Sequence, residues 1–220
     1  MKKWLRRLFR SGEMCRMGHD QRPEDLNLGL GWVYYALARV IRPTCVVVIG
    51  SWRGFVPLVM ARALKENLEK GKVVFIDPSL VDDFWSEPKG VKAHFRSFGI
   101  RNVRHFRMTT QEFVQTDDYR GLRDVGLLFV DGYHTMEQAR FDYEAFRPLM
   151  SADGVVLFHD SAGPLESRIY GADKLYTHSV HRYMDELRRD GRFQVFDLPQ
   201  ARGVTLVREA TVVPAHPAQG

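Results

Sequence analysis

Residues 45–64 read CVVVIGSWRGFVPLVMARAL: an unbroken apolar run closes on Gly50, passes through Ser51-Trp52-Arg53-Gly54 and continues with helical spacing. No alternating polar residue marks an outward face, so the run predicts a strand covered on both sides, as in the middle of a parallel sheet. The two glycines let the backbone turn tightly and approach a bound molecule. A second strand, predicted over 73–76, ends in Asp77, 27 residues after Gly50. In sheets of this kind a carboxylate at that tip accepts hydrogen bonds from a ribose diol. The dinucleotide fingerprint needs Gly-x-Gly-x-x-Gly, whereas the spacing here is Gly50-x-x-x-Gly54, so a nicotinamide-dependent oxidoreductase is the weaker reading.

Further strands are predicted over 103–107, 126–130 and 155–158, separated by helical pattern. A helix over 28–41, stopped by Pro43, leads into the first strand. This βα alternation predicts a doubly wound α/β sheet with helices on both faces. The end of the chain departs from it. A helix over 173–190 is followed by two runs, 193–197 and 204–207, joined by the short turn Pro199-Gln200-Ala201-Arg202-Gly203. Five parallel strands and a closing antiparallel hairpin follow, seven strands in all. The organisation expected is a basic amphipathic segment and polar linker over 1–27, one domain over 28–210 and a disordered tail over 211–220.

The chain has 220 residues, 45% of them hydrophobic, with no apolar stretch near the ~20 residues needed to cross a bilayer. Its two cysteines, Cys15 and Cys45, supply no disulfide framework, which suits a reducing cytoplasmic setting. Lys2, Lys3, Arg6, Arg7 and Arg10, with no acid among the first ten residues, account for the whole formal charge of +5. The body of the chain is therefore neutral, which argues against nucleic acid as a partner. Trp4, Leu5, Leu8 and Phe9 lie opposite those cations on a helix, so residues 1–10 either rest on their own domain or meet an anionic membrane or a partner subunit, a homodimer included. The segment lacks the apolar core and cleavage site of a signal peptide.

Ligands of open α/β sheets bind beyond the carboxyl ends of the strands. Strand four ends in Asp131-Gly132-Tyr133-His134 and strand five in His159-Asp160-Ser161. If these strands are neighbours, Asp131 and Asp160 face one another and can share a hard cation such as Mg²⁺. Strand alternation points His159 away, which makes Asp160 the expected ligand. Thr135-Met136-Glu137-Gln138 matches a capping box, with Gln138 reaching back. His134 then sits at a helix N-terminus, where the dipole keeps its ring neutral and able to take a proton. His19, His94, His105, His178, His181 and His216 show no metal-ligand spacing and read as surface or packing residues. Residues 161–177, rich in Gly, Ser and Tyr, read as a lid and substrate selector.

Taken together, VVVIGSWRGF, VVFIDP, DGYHTMEQARFD and GVVLFHDS resemble the class I S-adenosylmethionine-dependent methyltransferases, in the branch called methyltransferase family 24. The resemblance spans roughly residues 41–160 and implies a Rossmann-like seven-stranded fold. It implies S-adenosylmethionine at Gly50, Ser51, Gly54, Asp77 and Asp131, with adenine near Thr109 and Thr110. Related O-methyltransferases imply a divalent metal at Asp131 and Asp160 and O-methylation of a small-molecule hydroxyl, with His134 and Asp131 as catalytic residues. The chain departs from the family pattern at three places. Val48 stands where an acid usually anchors the cofactor's amino-acid end, Met136 replaces a tyrosine, and Ala152-Asp153-Gly154 replaces paired glycines. Val48 also keeps open a non-enzymatic alternative, a scaffold domain that has lost cofactor binding. Trp52 and Arg53 either meet the ligands or pack on the surface.

Overall fold

The structure is a computed structural model that describes residues 1–210; the tail expected over 211–220, with His216, lies outside the described residues. In chain order the strands are β1 (Cys45–Ile49), β2 (Lys72–Ile76), β3 (Val103–Phe106), β4 (Val125–Val130), β5 (Met150–His159), β6 (Leu165–Ser167), β7 (Tyr176–His178), β8 (Phe193–Leu198) and β9 (Val204–Glu209). The helices are α1 (Lys2–Phe9), α2 (Gly31–Ile41), α3 (Phe55–Lys65), α4 (Pro88–Ser97), α5 (Thr110–Phe113), α6 (Asp117–Arg120), α7 (Met136–Phe146) and α8 (Val180–Arg189). None of these helices is long and apolar enough to cross a membrane.

Seven strands form one sheet in the order β3-β2-β1-β4-β5-β9-β8. β1 to β5 run parallel, and β9 joins β5 antiparallel with β8 outside it, so the expected closing hairpin completes the sheet. Every residue of β1 is buried. Val46 and Val48 face a core shared with α1, α2 and α3, while Val47 and Ile49 face a second core built on α7 and α8. The unbroken apolar run thus serves two layers at once, the physical reason a central strand carries no polar alternation.

α1 belongs to the first of these cores. Trp4, Leu5 and Leu8 are buried, Leu8 completely, and the indole N–H of Trp4 donates to the Phe98 carbonyl at 3.0 Å. The apolar face proposed for a membrane or partner is therefore turned onto the chain's own domain. Each such side chain contributes about 1.5–3 kcal/mol of burial, and the cations are left outward.

Two boundaries differ from expectation. β5 begins at Met150 and carries Ala152-Asp153-Gly154 within it. The helix expected over 173–190 starts only at Val180, because Tyr176-Thr177-His178 pairs with Leu165–Ser167 as a small hairpin of its own. β-branched and aromatic residues favour that extended form over a helix.

Candidate functional site

Because β2, β1, β4 and β5 are parallel neighbours, their carboxyl ends share one edge, and the ladder continues one residue past the strands. Gly50 N–H donates to Ile76 O at 2.8 Å, Asp131 N–H to Ile49 O at 2.8 Å and Asp77 N–H to Phe106 O at 3.1 Å. This sets Asp77, Gly50, Asp131 and Asp160 along the rim of a cavity of about 440 Å³. Its walls include Ser51, Trp52, Thr109, Thr110, His134 and His159.

On the β1–β2 side the backbone shapes the cavity. Gly50 has φ +70°, and a Cβ there would lie 2.1 Å from the Asp131 carbonyl oxygen, so no side chain fits. Gly54, at φ +80°, does not line the cavity; its missing side chain leaves room for Trp85, whose ring a Cβ would meet at 3.0 Å. Asp77 accepts from the N–H of Ser79 at 2.8 Å and of Ser51 at 3.2 Å. Burial nevertheless pushes its carboxyl up to about 6. Thr109 caps α5, with its side chain accepting from Glu112 N–H. Thr110, beside it, is buried next to Asp142, which burial also pushes up to about 6.

Trp52 is half exposed at the cavity wall. Arg53 turns the other way, paired with Glu13 at 3.1 Å and Asp82 at 2.8 Å and lying over the Phe84 ring, so it packs rather than meets a ligand. Val48 is fully buried in the first core and cannot present any group to the cavity.

On the β4–β5 side the structure brings Asp131 and Asp160 to one edge as expected but places an imidazole between them. His159 Nδ1 lies 2.9 Å from Asp131 Oδ1 and 3.5 Å from Asp160 Oδ1. Simple alternation fails because Asp160 adopts a left-handed φ of +51°, which turns its side chain back toward the same side. Burial opposes charge on His159, but the two carboxylates outweigh it and hold the ring up to about 9. Asp160, despite burial, is held below the usual carboxylate range by His178 and His159. With His159 Nδ1 2.9 Å from Asp131 Oδ1, the pair has a nitrogen neighbour, which suits an all-oxygen Mg²⁺ shell less well than two free carboxylates would.

His134, at φ +52°, is buried with its Nδ1 3.9 Å from Asp131 and 3.7 Å from Asp160. Burial lowers its pKa, and the two carboxylates oppose that without reversing it. Thr135 caps α7 by accepting from Gln138 N–H at 3.1 Å. The Gln138 side chain does not reach back, because it donates instead to the buried Asp142 at 2.8 Å.

Two histidines enter the site against expectation, and a third, His19, packs as expected. His159 lies in the site, and its position in the FHDS motif was the available signal. His178 sits 3.2 Å from Asp160 and stacks on His134 at 4.5 Å between ring centroids. It arrives on the β6–β7 hairpin, which no local pattern announced. His19 is buried against Tyr34 and lies 4.5 Å from the His159 ring. His94 and His105 serve packing, each bonded to a backbone carbonyl. Of residues 161–177, Ile169 and Tyr170 line the cavity mouth, and Tyr133, Tyr170 and Tyr176 pack on one another there at 5.0–5.3 Å.

A family model described as "Methyltransferase domain" matches residues 47–161, which spans the glycine turn and both later motifs. No curated protein matches. Among solved structures the chain is similar to a methyltransferase from Geobacter sulfurreducens, with 17% identity over 95% of this chain and 89% of that one and a TM-score of 0.62. It is similar also to the S-adenosylhomocysteine-bound Podospora anserina methyltransferase PaMTH1, with 18% identity over 96% and 87% and a TM-score of 0.62. A third is the O-methyltransferase TomG from Streptomyces achromogenes, solved with S-adenosylmethionine, with 16% identity over 96% and 89% and a TM-score of 0.61. At such identities the likeness shows the fold.

Proposed function

The chain belongs to the methyltransferase-domain family matched over residues 47–161, and from that premise we propose that this S-adenosylmethionine-dependent methyltransferase acts on a hydroxyl oxygen of a small-molecule acceptor. One observation carries the reading: the glycine turn, the β2 carboxylate and the β4–β5 cluster of acids and imidazoles open into a single cavity. Its size suits a nucleoside-sized ligand together with a small acceptor. TomG, named as an O-methyltransferase and solved with S-adenosylmethionine, supports both the cofactor and the acceptor atom.

In this reading Gly50 and Ser51 pass under the cofactor and Asp77 accepts from its ribose hydroxyls. Thr109 and Thr110 border the adenine, and Gly54 shapes the turn rather than touching the ligand. With Val48 in the core, the ammonium of the cofactor's amino-acid end is met by Asp131, the carboxylate at the cavity beside Gly50. Burial lowers the His134 pKa, which favours a neutral ring able to accept a proton.

The step balances without further reagents. The acceptor oxygen forms a bond to the sulfonium methyl carbon as the sulfur–carbon bond breaks, and the bonding pair stays on sulfur. The acceptor proton passes to His134, leaving S-adenosylhomocysteine and a methylated oxygen. The protein's part is in-line positioning and exclusion of water, with residues 161–177 over the mouth. His159 lies against both Asp131 and Asp160, and no step of this reading is routed through a cation held by that pair. Incubation with methyl-labelled S-adenosylmethionine and a panel of phenolic, sugar and polyketide hydroxyls tests the reading. Label should appear on oxygen, and label found only on nitrogen or carbon would overturn the assigned acceptor.

A further inference from the structure

His134, Asp160 and His178 reach one another from three separate parts of the chain, the turn after β4, the tip of β5 and the end of β7. One ligand atom from each, two imidazole nitrogens and a carboxylate oxygen, all lie within 4.8 Å of one another. His134 Nδ1 is 3.7 Å and His178 Nδ1 is 3.2 Å from Asp160 Oδ2. All three side chains are more than nine-tenths buried. His178 Nδ1 has only Asp160 Oδ2 within reach, at 3.2 Å, while His134 Nδ1 and Asp160 Oδ1 make no hydrogen bond. Buried polar atoms left without partners are uncommon and call for an explanation.

The far side of His178 is tied down. Its Nε2 lies 2.7 Å from Ser167 Oγ, on the paired strand β6. If Nε2–H donates to that hydroxyl, the lone pair of Nδ1 faces Asp160 and His134. A second partner that fixes tautomer and ring orientation is the usual companion of a metal-bound histidine.

From this convergence we propose that His134, Asp160 and His178 form a binding site for one borderline divalent cation of the Zn²⁺ or Co²⁺ type. Two imidazoles and one carboxylate suit such ions and not Mg²⁺, which demands oxygen ligands. Zinc-to-ligand distances of about 2.0–2.2 Å place neighbouring tetrahedral ligands about 3.4 Å apart, within the spread seen here. His134 and Asp160 line the cavity and His178 does not, so an ion and its fourth ligand would come from that side. The site shares Asp160 with the oxygen pair expected from sequence but leaves Asp131 to His159. It rests on the proposed function only in one respect: a His134 ring that holds an ion at Nδ1 carries its proton on the other nitrogen and cannot accept one, so a bound cation withdraws that base.

The test uses the whole chain, stripped with a chelator and titrated with Co²⁺ under visible absorption, then with Zn²⁺ in competition. One Co²⁺ per chain with a four-coordinate ligand-field spectrum, displaced by Zn²⁺, is expected. His178→Ala should abolish the spectrum, Ser167→Ala should weaken binding at least about tenfold, and Asp131→Asn should retain it. Absence of a spectrum in the unaltered chain would overturn the site. So would binding that survives His178→Ala, which marks adventitious surface histidines, or binding lost with Asp131→Asn alone, which marks the oxygen pair. Calorimetry with S-adenosylhomocysteine on the same preparations reports folding and the cofactor site separately, so failure of one reading leaves the other standing.

Discussion

Between β1 and β2 the cavity is built from backbone that turns around Gly50 and from a single carboxylate, Asp77, buried at its rim. Between β4 and β5 it is built from Asp131, Asp160 and three imidazoles, which come from separate places in the chain. In the proposed function the first side would recognise a ligand by shape and one acceptor group, and the second would serve the chemistry. Substitutions on the two sides should therefore separate, binding on one and turnover on the other.

The largest separation is expected at His134. His134→Ala should lower the methyl-transfer rate by about 10² to 10⁴, the usual value of a general base, with S-adenosylhomocysteine affinity unchanged. Near wild-type turnover would break the comparison by removing chemistry from that side.

Leu8→Ala, in the fully buried position of α1, serves as the control outside both sides. It should cost about 2–5 kcal/mol of stability, seen as a lowered Tm, without altering cofactor affinity per folded molecule. An unchanged Tm would return the segment over 1–10 to the role of a detachable membrane or partner arm.

Asp77→Ala should weaken S-adenosylhomocysteine binding by about 1–3 kcal/mol and lower turnover only at subsaturating cofactor. The smallest effect is a pH dependence at the same residue. Its carboxyl titrates near 6 because burial penalises the charge. The neutral form is the better folded one, so this group's contribution to stability is fully present below its ordinary value of about 4 and is lost as pH rises through 6. Ribose needs the carboxylate, so cofactor affinity should run the opposite way and fall roughly tenfold, about 1.4 kcal/mol, between pH 7 and pH 5. Affinity that is flat with pH in the unaltered chain would show that the Asp77 charge takes no part.

The same contrast explains what could be read from the chain before its structure. The β1 run, Gly50 and the Asp77 tip are local features, and local periodicity reports them faithfully. The motif residues Asp131, His134 and Asp160 were legible as strand tips because parallel order forces their carboxyl ends to one edge. What was not legible depends on long-range placement or unusual backbone. His159 enters the site because Asp160 takes a left-handed conformation, which no alternation rule foresees. His178 enters on a hairpin that forms only against β6, a pairing no local pattern announces. Arg53 and Gln138 have local patterns that suggest ligand contact and capping, yet tertiary partners, Glu13 and Asp82 for one and Asp142 for the other, claim them instead.

Calorimetry with S-adenosylhomocysteine tests most directly whether the glycine turn and Asp77 hold S-adenosylmethionine or its product. One molecule bound per chain is expected, weakened by Asp77→Ala and indifferent to His134→Ala, with NAD giving no heat. No S-adenosylhomocysteine binding, or NAD binding in its place, would contradict it.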